Sequence, residues 1–309
     1  MAILLMTKPI PAEPYRTALA ALAPDVPVWT AEEDHDPLAV EVLLAWRLKP
    51  GLAARYPNLR VVCSVGAGVD KLVATPDLPV GLAVTRSIDP GQHQQMTQYV
   101  VACTLQHTRE LGRYATQQAQ ARWQRHPVRP PESCRIGILG LGAVGQAIAR
   151  AFVPLGYPVA GWSRSRQALP GVQSFAGDGE LPALLAQTDV LVCVLPLTPA
   201  TVGLLNHARL SLLPTGAYVI SLGRGEQLVE ADMRALLDSG HLAGAALDVF
   251  EREPPPPDHW VWLHPKVLAT PHIAGEVSRA VVAQQTLDAL HNARAGLPQP
   301  RAVNRNAGY

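Results

Sequence analysis

Residues 136–145 decide the fold of this chain and read IGILGLGAVG in one-letter code. The apolar run at 136–139 is typical of a buried strand, and the apolar spacing over 146–152 is typical of a helix. Three glycines lie between them, where a tight turn needs residues without side chains. Strand, glycine turn and helix in this order can hold a pyrophosphate on the helix amino terminus, although a purely structural turn is the alternative. The predicted dinucleotide contacts are Gly140, Gly142, Ala143, Val144 and Gly145.

Short apolar runs recur on both sides of this stretch. The strands predicted before it lie at 2–6, 42–45, 59–64 and 82–85. Those predicted from it onward lie at 136–139, 159–162, 190–195, 217–222, 245–249 and 267–269. Strands that alternate with helices favour parallel sheets. The fold class is therefore α/β with two doubly wound parallel-sheet domains, a Rossmann-type cofactor domain inserted in a flavodoxin-like substrate domain.

Three segments indicate how the domains are joined. Residues 92–124 contain no proline and no apolar strand run, so they are expected to be largely helical and to connect the domains. The tetraproline at 254–257 predicts a loop, and 277–295 predicts a closing helix that returns to the first domain. The expected domains are 1–96 plus 279–309 for substrate binding and 97–278 for dinucleotide binding.

Composition limits the kinds of partner. With 26 basic and 25 acidic side chains, the 309-residue chain has a formal net charge of +1, so nucleic acid and anionic membranes are not expected partners and a small molecule is. Residues 1–6 are too short for a signal peptide or a membrane span, which favours the cytoplasm. No metal or redox-dithiol spacing joins the four cysteines, so buried free thiols are expected at Cys63, Cys103, Cys134 and Cys193.

The second strand of the cofactor domain ends without the acidic residue that would bind the ribose 2′-hydroxyl of NAD. Residues 161–166 read GWSRSR and contain no carboxylate. Hydroxyl and guanidinium groups bind a 2′-phosphate through charge-assisted hydrogen bonds, so NADP is the expected cofactor, with NADPH preferred over NADH. The alternative is a solvated loop whose arginines contact nothing. The residues expected to bind the phosphate are Ser163, Arg164, Ser165 and Arg166.

Four further segments resemble, in this order, the signatures of the D-isomer-specific 2-hydroxyacid dehydrogenases. They are VGAGVD at 65–70, SLGRG at 221–225, LDVFEREP at 247–254 and TPH at 270–272. Residues 162–166 and 170–175 are similar to the glyoxylate/hydroxypyruvate reductase branch of that family. The resemblance covers nearly the whole chain. It implies NADPH-dependent reduction of glyoxylate and hydroxypyruvate, small 2-keto acids, to glycolate and D-glycerate.

The resemblance also implies a catalytic group of Arg224, Glu253 and His272. Reduction of a 2-keto acid needs a cation for the carboxylate, which a guanidinium after a strand supplies. It also needs a proton donor near neutrality, which His272 supplies, while Glu253 is expected to orient the imidazole and favour its charged form. Taken singly, these residues could be a surface charge, a loop residue and a capped turn. Asp248, by resemblance, approaches the nicotinamide carboxamide, and a helix cap is its alternative.

Residues at other strand ends complete the expected site. Gly66, Ala67 and Gly68 suit a loop that presents bare N–H groups to a carboxylate, although a plain turn is the alternative. Trp46 is expected to wall the substrate pocket and Met96 the nicotinamide side, unless both are core residues. The remaining expected cofactor contacts are Leu195, Pro196, Leu222 and Gly223.

Departures from the common family pattern leave the substrate open. Ser221 and Gly223 replace the more usual Asn and Ala, and Gln98 stands where many relatives carry Glu. A related dehydrogenase of bulkier keto acids is one alternative, and a non-catalytic corepressor-like module that senses dinucleotide is another. A formate dehydrogenase is disfavoured, because those enzymes carry Gln where Glu253 stands. Family relatives pair through the region joining their domains, so a homodimer through 105–123 is expected.

Overall fold

The structure, a computed structural model, describes residues 2–305 and 308 of the chain. The chain divides into two compact units, Met1–Gln92 with Glu276–Tyr309, and His93–Gly275. These boundaries lie a few residues before those expected from the sequence. Residues 1, 306, 307 and 309 of the expected first domain are outside the described residues.

The first unit is built on a five-stranded parallel sheet with the order β2-β1-β3-β4-β5. Its central strands are apolar on both faces because helices or loops cover both, as parallel sheets require. Helices α1 and α9 contribute Leu19 and Val282 to the same core cluster as Ile3 of the sheet. The strands are β1 (Ala2–Met6), β2 (Val28–Thr30), β3 (Val40–Ala45), β4 (Val61–Ser64) and β5 (Ala83–Thr85), and the helices are α1 (Glu13–Leu22), α2 (Asp70–Val73) and α9 (Arg279–Ala295).

The second unit is built on a seven-stranded parallel sheet with the order β12-β11-β10-β9-β6-β7-β8. The chain moves outward from β6 first through β7 and β8, then returns to β9 on the other side. The carboxyl edge beside β6 is therefore a topological switch point, where open α/β sheets bind ligands. The strands are β6 (Ile136–Leu139), β7 (Val159–Ser163), β8 (Val172–Ala176), β9 (Val190–Cys193), β10 (Ala217–Ser221), β11 (Leu242–Leu247) and β12 (Val267–Ala269).

Helices of the second unit cover both faces of this sheet. Phe152 of α5 lies in the cluster on one face, and Leu184 of α6 lies in the cluster on the other. The helices are α3 (Pro90–Thr108), α4 (Leu111–Ala119), α5 (Ala143–Phe152), α6 (Gly177–Leu185), α7 (His207–Leu210) and α8 (Glu230–Asp238).

The predicted α/β class with two parallel sheets is confirmed, but the expected strand set was incomplete. Strand β8 is a seventh strand where the sequence indicated six, and β2 was also missed. Both are edge strands whose residues remain half-buried or exposed, so neither shows the apolar run that marks a buried strand.

The expectation that residues 92–124 are largely helical is confirmed, but the segment is two helices rather than one. Helix α3 begins at Pro90 and ends at Thr108, and Glu110 has a left-handed backbone with φ of 52° before α4 begins. Helix α4 ends at Ala119, so residues 120–124 are not helical. Ala121 is also left-handed, with φ of 51°. A left-handed residue cannot continue a right-handed helix, and the residue types gave no sign of these breaks.

The expected loop of prolines and the expected buried thiols are confirmed. The prolines at 254–257 lie in a loop. Cys63, Cys103, Cys134 and Cys193 are free and buried, and burial raises the pKa of each thiol to about 11. Within residues 2–305 and 308, no helix has both the length and the apolar character needed to cross a membrane.

Candidate active site

The glycine turn after β6 is shaped by close backbone approach. Gly140 has φ of +105°, a conformation that other residues rarely adopt. A Cβ placed on Gly145 would overlap the carbonyl oxygen of Gly140. Helix α5 follows with Gly142 as its N-cap and no side-chain capping bond, so its first-turn N–H groups are not bound by a cap. A bare, uncapped helix start of this kind fits a pyrophosphate.

The loop after β7 carries the serines and arginines expected to select NADP. The Ser163 hydroxyl donates to the carbonyl of Ser165 at 2.7 Å. Arg166 donates to both carboxylate oxygens of Glu180, at 2.6 and 2.8 Å, and also to the carbonyl of Ser174. The guanidinium of Arg166 is therefore paired with a carboxylate that the sequence reading had not considered.

Arg224 lies in the loop after β10 and is half-buried. Its Nη1 donates to the carbonyl of Gly223 at 2.8 Å, and its backbone N–H donates to Gln227 at 3.0 Å. A Cβ on Gly225 would overlap the backbone of Phe250 and Glu251. The loop that carries Arg224 therefore lies directly against the loop that leads to Glu253.

Glu253 and His272 form a hydrogen-bonded pair across these loops. Oε2 of Glu253 lies 2.9 Å from Nδ1 of His272, and the two side chains are 32% and 35% exposed. Oε1 of Glu253 accepts the backbone N–H of Phe250 at 3.1 Å, which fixes the carboxylate. Because Nδ1 faces Glu253, Nε2 is the nitrogen through which His272 can pass a proton to another molecule.

Asp248 organises the turn that carries His272. It is 1% exposed and directly follows β11, while the turn follows the neighbouring strand β12. Its Oδ1 accepts from the Thr270 hydroxyl at 2.6 Å and from Ile273 N at 2.8 Å, and its Oδ2 accepts from Ala274 N at 2.9 Å. His272 has φ of 55°, a left-handed conformation that persists only when its surroundings hold it.

A tyrosine extends this network, and the helix-cap reading of Asp248 is wrong. The next helical turn begins only at Trp260, so Asp248 caps no helix. Tyr99 of α3 lies 2.7 Å from the Thr270 hydroxyl, and it is the donor because Thr270 gives its own proton to Asp248. Burial raises the pKa of Tyr99, so the phenol keeps that proton.

Gln227 is a site residue that the sequence reading missed. It is fully buried, and its amide group donates to the carbonyls of Leu195 and Pro196, both at 3.0 Å. Leu195 and Pro196 follow β9, and Leu222 and Gly223 follow β10, so these four residues share the carboxyl edge of the sheet with Arg224. The only sequence signal for Gln227 was the glycine at 223, where alanine is more usual.

The expected substrate residues of the first unit lie together at the ends of β3 and β4. A Cβ on Gly66 would lie 3.7 Å from the Trp46 ring, and Lys71 Nζ lies 5.0 Å from the centre of that ring. The N–H of Gly66 is not bare as expected, because it donates to the Ser64 hydroxyl at 3.2 Å.

Ser64 also shapes the rest of this loop. Its hydroxyl donates to the carbonyl of Gly68 at 3.0 Å and so closes the turn that contains Ala67. Met96, on α3 of the second unit, is half-buried and packs against the core cluster that contains Val100.

The second unit therefore gathers a guanidinium, a carboxylate–imidazole pair and an uncapped glycine turn at loops that follow parallel strands. Among the described residues, no group of three or more His, Cys, Asp or Glu side chains is arranged to hold a metal ion. The chemistry that these side chains can perform is anion binding by Arg224 and proton transfer by His272.

Comparison with known proteins gives the family. A family model described as the D-isomer specific 2-hydroxyacid dehydrogenase NAD binding domain matches residues 101–274. A D-isomer specific 2-hydroxyacid dehydrogenase from Xanthobacter autotrophicus, solved with NADPH and MES, is 39% identical with a TM-score of 0.93, and the match covers 100% of this chain and 99% of that one.

Two further structures are similar over comparable lengths. An NADPH-dependent glyoxylate/hydroxypyruvate reductase from Sinorhizobium meliloti, solved with NADP and sulfate, is 33% identical with a TM-score of 0.93 and full coverage of both chains. A protein from Rhizobium etli, solved with NADP, HEPES and L(+)-tartaric acid, is 30% identical with a TM-score of 0.92, covering 100% of this chain and 99% of that one. The family model and these full-length likenesses agree with the geometry of the second unit, and the chain belongs to the D-isomer specific 2-hydroxyacid dehydrogenases, enzymes that depend on NAD(P).

Proposed function

We propose that this enzyme reduces small 2-keto acids, glyoxylate and hydroxypyruvate, to glycolate and D-glycerate with NADPH. The observation that carries the proposal is the 2.9 Å pair of Glu253 and His272 beside the loop of Arg224. The likeness to the Sinorhizobium glyoxylate/hydroxypyruvate reductase supports the substrate class.

NADP binding is proposed at the glycine turn and the loop after β7. The uncapped start of α5 offers backbone N–H groups to the pyrophosphate. Ser163 and Arg164 offer a hydroxyl and a guanidinium to the 2′-phosphate, and Arg166 can contribute if it exchanges Glu180 for the phosphate. The nicotinamide ring supplies the hydride when the cofactor is bound. The Xanthobacter, Sinorhizobium and Rhizobium structures, solved with NADPH or NADP, support this choice.

Four residues of the chain have separate proposed roles in the reduction of the substrate. The guanidinium of Arg224 binds the carboxylate and polarises the keto oxygen. The imidazolium of His272 gives its Nε2 proton to that oxygen as the carbonyl carbon gains hydride, which leaves a neutral imidazole and a 2-hydroxy acid. Glu253 accepts the Nδ1–H of His272 and keeps the imidazole oriented. Asp248 keeps the turn of His272 in its left-handed conformation.

Residues of the first unit are proposed to bind the substrate as well. The loop of Gly66, Ala67 and Gly68 would give N–H groups to the carboxylate, with Ala67 and Gly68 as the proposed donors because Gly66 is bonded to Ser64. Trp46 lies beside Gly66 and would limit the size of the substrate. A bulkier keto acid is the competing substrate, because pocket volume determines that preference.

The direct experiment measures oxidation of NADPH and of NADH with a panel of keto acids that includes glyoxylate, hydroxypyruvate and phenylpyruvate. We expect the highest kcat/KM with glyoxylate or hydroxypyruvate, and at least about a tenfold preference for NADPH. A preference for phenylpyruvate would favour the bulkier-substrate alternative. NADPH-dependent dimerisation without turnover of any keto acid would favour the corepressor-like alternative.

Replacement of Arg224 by Lys tests its proposed role. Lysine keeps the charge but loses the planar fork, so we expect KM to rise, kcat to fall and kcat/KM for glyoxylate to drop about a hundredfold. NADPH affinity should change little. Near-native kcat/KM together with sharply weaker NADPH binding would make Arg224 a cofactor residue instead.

A homodimer in a reducing, cytoplasmic setting completes the proposal. The segment after α3 exposes Leu111, Trp123 and Val128 by 54%, 97% and 63%, and these apolar side chains are proposed to form part of the interface. The four free thiols support the reducing setting. Light scattering should give twice the chain mass of 33.1 kDa, and Trp123→Glu should shift the protein toward monomer.

A further inference from the structure

Gln227 uses one end of its carboxamide to hold the loop of Arg224. The side chain has 0% exposure, so each of its polar atoms needs a partner inside the protein. Oε1 accepts the backbone N–H of Arg224 at 3.0 Å and the thiol of Cys193 at 3.6 Å. Burial raises the pKa of the Cys193 thiol to about 11, so the sulfur keeps the proton that it donates.

The other end of the same carboxamide holds a different loop. Nε2 donates to the carbonyls of Leu195 and Pro196, both at 3.0 Å. These two residues follow β9, whereas Arg224 follows β10. A single buried group therefore joins the loop proposed to contact the cofactor to the residue proposed to bind the substrate.

Gly223 provides the space for this arrangement. A Cβ at position 223 would collide with Oε1 of Gln227 and lie 2.8 Å from the carbonyl oxygen of Leu195. Alanine, the more usual residue beside the arginine, is thus incompatible with the observed position of Gln227. Gly223 and Gln227 form a matched pair, which accounts for one of the departures noted in the sequence.

We propose that Gln227 is a positioning residue that holds the loop of Arg224 and the 195–196 loop in one fixed arrangement. Gly223 leaves the space that the carboxamide of Gln227 requires. The inference rests on the proposed function, because it acts through the role of Arg224 on the keto acid. It predicts that loss of the carboxamide harms both keto-acid turnover and cofactor binding.

The test uses Gln227→Met, Gly223→Ala and the double variant that carries both substitutions. Thr188→Val is the control. Methionine preserves length and burial but removes every hydrogen bond of the carboxamide. Thr188 lies two residues before β9, and its buried hydroxyl donates to the carbonyl of Leu184 at 2.8 Å, so its loss tests destabilisation alone. Each variant is measured for melting temperature, for NADPH binding by fluorescence titration, and for kcat and KM with glyoxylate at saturating NADPH.

We expect Gln227→Met to lower kcat/KM for glyoxylate and to weaken NADPH binding, each by about tenfold, since both loops lose hydrogen bonds that fix them. Thr188→Val should lower the melting temperature and leave both quantities near native. Gly223→Ala should reproduce the defect of Gln227→Met, because its methyl group displaces the carboxamide. The double variant should be little worse than either single one.

The inference would be overturned if kcat/KM and NADPH affinity in Gln227→Met equal those in Thr188→Val. It would also be overturned if the loss in the double variant equals the product of the losses in Gln227→Met and Gly223→Ala. If Gln227→Met does not fold, Gly223→Ala carries the test, because it leaves the glutamine chemically intact. Arg224→Lys is measured alongside. If that variant is impaired and Gln227→Met is not, the inference alone fails, and if Arg224→Lys is native-like, the proposed function fails with it.

Discussion

Two regions at the carboxyl edge of the larger sheet achieve their geometry by opposite means. The turn after β6 depends on missing side chains, because a Cβ on Gly145 would overlap the backbone of Gly140. The loops after β10, β11 and β12 depend on buried polar side chains. Asp248 holds the turn of His272 with three hydrogen bonds, and Gln227 holds the loop of Arg224.

The two regions also differ in how far apart in the sequence their contacting residues lie. Gly140 and Gly145 belong to one short motif, so the motif alone implies the close approach. Asp248 binds groups 22 to 26 residues away, and Gln227 binds carbonyls 31 and 32 residues away. A substitution should therefore act by steric overlap in the first region and by an unsatisfied polar group in the second.

The largest effect is expected from Gly145→Ala. Its methyl group must displace the backbone of Gly140, which deforms the turn and the start of α5. We expect NADPH binding to weaken by about a hundredfold, equivalent to about 2.7 kcal/mol, as measured by fluorescence titration.

Gly179→Ala is the matched control for this substitution. A Cβ on Gly179 meets nothing within 4 Å, and the residue lies in α6. We expect its NADPH affinity to equal that of the unmodified enzyme. If Gly145→Ala also binds NADPH normally, the turn is not sterically determined and the comparison between the regions breaks.

A smaller but still large effect is expected from Asp248→Asn. The oxygen that becomes an amide NH2 can no longer accept, so either Ile273 N or Ala274 N loses its acceptor and the turn of His272 shifts. We expect kcat for glyoxylate reduction to fall between about tenfold and a hundredfold, because small misplacements of a catalytic group are costly.

Thr270→Val sharpens this second prediction. It removes one donor to Asp248 but leaves the bonds to Ile273 N and Ala274 N, so kcat should fall less than in Asp248→Asn. Equal losses in the two variants would mean that the hydroxyl, rather than the backbone bonds, positions His272.

The smallest of these effects concerns cofactor choice. We expect Arg164→Ala with Arg166→Ala to lower the ratio of kcat/KM for NADPH to that for NADH about tenfold. Arg166→Ala alone should cause the smaller part of this loss, because the Arg166 guanidinium must leave Glu180 in order to bind the phosphate. Loss of the whole preference in Arg166→Ala would contradict this.

The same contrast explains which features of the fold and the site could be predicted from the sequence. Apolar runs identified the buried strands, and the glycine motif identified the turn after β6, because both signals are local. Edge strands β2 and β8 were missed because their side chains are half-buried or exposed. The bond from Gly66 N–H to Ser64, the pairing of Arg166 with Glu180 and the role of Gln227 depend on side-chain contacts that no residue pattern specified.

The central claim is that His272, held by Glu253, gives the proton in keto-acid reduction. The most direct measurement is kcat/KM for glyoxylate reduction at one pH in the unmodified enzyme, in His272→Gln and in Glu253→Gln, with NADPH binding measured beside it. Loss of the proton donor should lower kcat/KM by about a hundredfold or more in His272→Gln, and Glu253→Gln, which removes the carboxylate 2.9 Å from Nδ1, should lower it less, while NADPH affinity stays near native in both. Near-native kcat/KM in His272→Gln would show that another group donates the proton.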